Sequence, residues 1–131
     1  MKRIITFIVA LGAIALSATS CLTENKCDVI IEYGMTCIDF HGTPEQILKE
    51  TKLVTDAFQS AFDSTMGEKI GNTNYVLRAQ TSNRKAADLA KTAGEKANAS
   101  LNGFKSTVGP MTMSVKVMSD FGNDIVAQYT Y

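Results

Sequence analysis

The chain has 131 residues, with 13 basic and 13 acidic side chains, a single His, three Cys and no Trp. That balance excludes the basic surface with which a nucleic-acid binder gathers affinity from phosphates, and the lack of Trp removes the usual aromatic platform for sugars. A chain of this length makes one core rather than two, and no repeat or low-complexity run divides it.

Lys2 and Arg3 form a short basic region, Ile4 to Leu16 is a mainly apolar run of 13 residues without a charge, and Ser17 to Ser20 is small and polar. This is the layout of an export signal. The run falls short of the ~20 apolar residues that a membrane-spanning helix needs. At its end Ala18-Thr19-Ser20-Cys21 resembles the lipobox of bacterial lipoproteins. The resemblance implies cleavage before Cys21, a lipid on its sulfur, and a domain anchored in the cell envelope, on the periplasmic side or the surface. Ordinary cleavage at Ala18-x-Ser20 is the alternative, with Cys21 left as an unmodified first residue. Residues 1–20 are then a removed signal, 21–26 a polar tether and 27–131 one domain. Removing Lys2 and Arg3 leaves 13 − 2 = 11 basic against 13 acidic residues, a net charge of −2.

An odd number of cysteines in an exported protein leaves one thiol to explain, and lipidation of Cys21 explains it. Cys27 and Cys37 can then form a disulfide in an oxidising compartment, or lie on one straight strand. The two are exclusive, because ten residues of strand span ~33 Å and a bridge needs Cα atoms ~5.5 Å apart.

Cys27 to Phe40 is rich in β-branched and aromatic residues and reads as a first strand, central because both faces carry apolar residues, with Gly34 at a bend. Thr43-Pro44-Glu45-Gln46 is a capping box with proline at the first helical position. Ile47, Leu48, Thr51, Val54, Phe58, Ala61 and Phe62 give the first helix an apolar stripe, and Gly67 offers it a C-terminal cap. Tyr75 to Gln80 alternates as a second strand. Thr81-Ser82-Asn83 supplies N-caps for a second helix reaching about Asn102 and ended by Gly103. Its inner face is small, with Ala86, Ala90, Ala93 and Ala97 before Leu101 and Phe104, so this helix is expected to be the softer one.

After Gly109-Pro110, Asp120-Phe121-Gly122 fits a three-residue hairpin loop with Gly122 at positive φ. Pairing Ser119 with Asn123 sets Val117 against Ile125, Val115 against Ala127, Met113 against Tyr129 and Met111 against Tyr131. An apolar face and a mainly polar face emerge together. The expected fold is therefore α+β, a two-layer sandwich of order β-α-β-α-β-β with a four-stranded sheet and two helices on one face.

No nucleophile elbow, phosphate loop or zinc-protease motif occurs, and no cofactor is implied. His41 is the sole candidate for acid–base chemistry, and Asp39-x-His41 with Cys37 is one short of a metal site. The expectation is a non-catalytic envelope lipoprotein, held to a membrane through Cys21, that binds or braces an envelope protein partner. Its contact surface is the sheet face left open by the helices: Thr112, Ser114, Lys116, Gln128 and Thr130. The alternative is an exported small-molecule-binding or hydrolytic domain with a pocket beneath the second helix, lined in part by Met111, Met113 and Met118, with His41 at its rim.

Overall fold

The computed structural model describes residues 26–131 and, ahead of them, a two-residue strand, β1 (Phe7–Ile8). The expected cleavage site and Cys21 lie outside the described residues. The remaining elements are β2 (Cys27–Cys37), α1 (Pro44–Thr65), β3 (Asn74–Gln80), α2 (Arg84–Ser100), β4 (Met111–Ser119) and β5 (Gly122–Thr130). From Cys27 onward the order is strand, helix, strand, helix, strand, strand, and the fold is α+β. The four long strands are antiparallel in the order β3-β2-β4-β5, and both helices pack on one face.

β2 is the strand around which the sheet is built. It pairs with β4 from Ile30 to Cys37 and, on its other edge, with β3 from Cys27 to Glu32. Val29, Ile31, Tyr33, Met35 and Cys37 alternate into the helical layer, all buried. This continuous strand overturns the bridge between Cys27 and Cys37. The two lie at opposite ends of it, Cys37 is a free buried thiol, and Cys27 is disulfide-bonded to another sulfur. No turn former interrupts Ile31-Glu32-Tyr33, so the chain has nothing with which to fold the two ends together.

Thr43 caps α1 as expected, its hydroxyl accepting from the Gln46 N–H at 3.1 Å, with Pro44 opening the helix. The box is half closed, because the Gln46 amide donates instead to the Thr107 hydroxyl at 3.0 Å. Val54, Phe58, Ala61 and Phe62 are buried. Leu48 departs from the stripe and is 67% exposed, since it sits about 100° round the helix from Ile47. Gly67 is not the cap; Met66, in extended conformation, ends the helix with its N–H on the Phe62 carbonyl.

The small face of α2 is fully packed. Ala86, Ala90, Ala93 and Ala97 are completely buried, so this helix lies close on the sheet while α1 stands off behind its phenylalanines. Gly94 lets Tyr129 touch the helix backbone: a Cβ there would meet the Tyr129 ring and hydroxyl at 3.0 Å. Asn83 starts the helix without a side-chain cap bond. Its amide instead accepts from Ser119 Oγ at 2.5 Å and donates to the Gly122 carbonyl at 3.1 Å, tying α2 to the hairpin turn.

The hairpin is in the expected register at its open end, with Met113 opposite Tyr129, Val115 opposite Ala127, and Met111 exchanging both backbone bonds with Tyr131. Nearer the turn it shifts by one residue. Ser119 pairs with Gly122, Val117 with Asp124 and Lys116 with Ile125, so the loop is the two residues Asp120-Phe121 and a bulge at Val126 absorbs the difference. Gly122 does take positive φ, 136°. Ile125 is thereby turned out of the core to 55% exposure.

Candidate functional site

The helices cover one face of the sheet, and the other carries the residues that the sequence singles out. Pleat alternation puts Thr112, Ser114, Lys116, Gln128 and Thr130 there, with Thr36 and Glu32 of β2 beside them. Thr112 and Thr130 share a hydroxyl–hydroxyl bond of 3.1 Å, and the Gln128 amide donates to Ser114 Oγ at 3.1 Å. Lys116 is exposed between Glu32 on one side and Ile125 on the other. Ile125 was missed by sequence reasoning, since the bulge that turns it outward left no mark in the hydrophobic pattern. This surface is a flat hydroxyl and amide field with one cation and one exposed aliphatic side chain. It has hydrogen-bonding groups for a partner surface.

A second, apolar island lies further along the same face. Ile30 and Val76, paired across β2 and β3, are buried, with Met118 half-buried beside Ile30. Charges ring it: Arg78 bonds Asp28 at 2.8 Å and Glu68 at 2.8 Å. The hydrogen bonds to Glu68 and Asp28 hold the Arg78 guanidinium well above its ordinary value, and the Arg78 bond draws the Glu68 carboxyl below its own. Asn74, completely buried, donates to Glu32 at 2.5 Å.

The helical side holds an aromatic cluster of Tyr33, Phe58, Phe62, Tyr75, Tyr129 and Tyr131, with Tyr33 and Phe62 closest at 4.7 Å between ring centres. The Tyr75 hydroxyl donates to Asp63 at 2.6 Å, and Lys69 pairs with the same carboxylate at 3.0 Å. Burial first, then Asp63, pushes the Tyr33 hydroxyl up to about 12; Tyr75 is raised for the same reasons. The Tyr75 bond in turn holds Asp63 below the usual carboxylate range. These shifts disfavour a phenolate, and Tyr33, Phe58, Phe62 and Tyr75 are part of the packed core.

Among the described residues no side-chain hydrogen bond or ion pair brings another titratable group to His41. It is exposed in the loop before α1, its backbone N–H donating to the Val108 carbonyl at 2.9 Å. Asp39, two residues earlier, takes φ 55°, and among the described residues no group of three or more His, Cys, Asp and Glu is placed to hold a metal. Burial pushes the Cys37 thiol up to about 11, away from nucleophilic character. The pocket expected beneath the second helix is filled by alanines and Tyr129, and Met111 and Met113 are core residues. A groove of about 290 Å³ lies instead beside α1, lined by Tyr33, Gly34, Met35, Thr55, Gln59 and Thr73 among others.

Among the described residues no helix is long and apolar enough to cross a membrane. No known protein family, curated protein or solved structure matches the chain.

Proposed function

We propose that the chain is an exported cell-envelope lipoprotein, anchored through Cys21, whose domain binds or braces another envelope protein without catalysing a reaction. The observation that carries this reading is the N-terminal layout: Lys2-Arg3, a short apolar run, and a small-residue segment ending in Cys21. The sheet face opposite the helices supports it, because Thr112, Ser114, Lys116, Gln128 and Thr130 offer hydrogen-bonding groups there. A six-residue tether, 21–26, would hold that face close to the lipid headgroups. Replacing Cys21 by Ala in the native host is expected to move the protein from the membrane pellet to the soluble fraction. Lys116→Glu with Gln128→Glu is expected to release a co-purifying envelope protein while leaving membrane attachment intact. Unchanged fractionation refutes the anchor, and an unchanged set of partners refutes the surface.

The disulfide state of Cys27 favours a second reading, in which the chain is exported and cut but carries no lipid. Cys37 is free and Cys27 is disulfide-bonded; the third cysteine sulfur of the chain is that of Cys21, which lies outside the described residues. That sulfur cannot serve both a bridge and a thioether-linked lipid. A domain released from the membrane, with the groove beside α1 available to a small ligand, is what the bridge would imply.

A further inference from the structure

The groove beside α1 runs along an edge of β2 that the sheet leaves unfinished. β3 pairs with β2 only as far as Glu32 opposite Asn74, and Tyr33 N–H still reaches the Thr73 carbonyl at 3.2 Å. Beyond that point β3 offers no partner, because Asn74 is its first residue. Alternation along the strand puts the N–H and C=O of Met35 and Cys37 on the same side as those of Tyr33, toward the groove. The edge is filled at its far end by the chain's own β1, antiparallel, with Phe7 opposite Cys37 and Ile8 opposite Thr36. β1 belongs to the apolar run that an export peptidase would remove.

We infer that the β2 edge from Gly34 to Cys37 is a strand-addition site, which takes an extended segment of a partner protein with apolar residues at alternate positions once residues 1–20 have left. The inference rests on the export reading above and adds the partner's chemistry to it. The groove's inner wall is Tyr33, Met35 and Met113, and its rim is Thr55, Gln59 and Thr73, so an added strand meets apolar groups inward and polar ones outward. Two methionines give that wall side chains that adapt to more than one shape. The occupant's type is set by the segment already seated there: Phe7–Ile8 pairs by backbone bonds in antiparallel sense, and any strand of the same pattern makes the same bonds.

The test uses residues 21–131, which contain the core residues named above. The probe is a synthetic peptide of residues 4–12 with two added lysines for solubility. Hydrogen exchange at the Met35 and Cys37 amides is expected to slow by roughly tenfold or more at saturating peptide. Amide shifts are expected along Tyr33–Cys37 and at Thr73, and the same peptide with Pro in place of Ile8 is expected to do nothing. Silence, an equal effect from the proline peptide, shifts on the Thr112–Thr130 face, or protection by dimerisation of the chain alone each overturns the site. The intact mass of the native protein reports loss of residues 1–20 separately, so an uncut chain overturns the premise while leaving the titration to judge the groove.

Discussion

Gly94→Ala separates a local rule from the tertiary one that overrides it. In an exposed helix interior this change stabilises by up to ~1 kcal/mol, through helix propensity. In α2 the new Cβ would lie 3.0 Å from both Cε2 and the hydroxyl of Tyr129, where apolar contacts settle at ~3.5–4.0 Å. Tyr129 has little room to retreat, because its ring packs on Phe58 with centres 6.0 Å apart. Overpacking of this kind costs ~1–3 kcal/mol, which cancels or outweighs the propensity gain and leaves a net loss of up to ~2 kcal/mol. Each kcal/mol is worth roughly 4–8 °C in a domain of this size, so thermal unfolding followed by circular dichroism resolves the effect. In a Tyr129→Ala background the obstacle is gone, and Gly94→Ala is expected to stabilise by up to ~1 kcal/mol. A rise in Tm from Gly94→Ala alone would refute the close approach of Tyr129 to the helix.

Asn74→Ala is expected to cost ~1–3 kcal/mol in urea titrations, because it removes the buried amide that bonds Glu32 and leaves that carboxylate without the donor. The Cys37 thiol, raised from 9.0 to about 11 by burial, is expected to resist a thiol reagent at pH 8 until the chain unfolds. A raised folded value favours the neutral thiol in the native state. Its contribution to stability is therefore complete below 9.0 and is lost as pH climbs through about 11, and Cys37→Ala should flatten that part of the stability profile. Asp63 has the opposite sign: its carboxyl is lowered from 3.8 by the Tyr75 hydroxyl, so its contribution is present above 3.8 and lost in more acid solution. Tyr75→Phe should accordingly destabilise at neutral pH by more than it does in acid, as read by parallel urea titrations.

Local chemistry was legible wherever one residue type has one dominant use. Thr43-Pro44 marked the start of α1, the alanine stripe marked the inner face of α2, and the alternation of Met111, Met113, Val115 and Val117 marked the buried side of β4. What was not legible depends on contacts between distant segments. The bulge at Val126 moves the hairpin register by one residue near the turn, and the pattern of Gly122 to Tyr131 is compatible with either pairing. Gln46 and Asn83, two residues read as caps, have side chains that bond Thr107 and the hairpin turn, choices set by tertiary neighbours 61 and 36 residues away. The groove beside α1 arises where the segment leading into β3 lies away from β2 ahead of Thr73, and nothing in the composition of Asn72-Thr73-Asn74 foretells that divergence. The polar face was readable as a list of residues, whereas the outward turn of Ile125 into it was not.

The most direct test of the central claim is the intact mass of the protein isolated from the membrane fraction of its native host, with and without reduction. A lipid-anchored envelope protein gives a chain that begins at Cys21, carries the mass of attached acyl groups and is unchanged in lipid content by reduction. A chain that begins at Cys21 without acyl mass, and that gains two hydrogens on reduction, would contradict anchoring and establish a free exported domain closed by Cys27. A chain that still carries residues 1–20 would contradict export by this signal altogether.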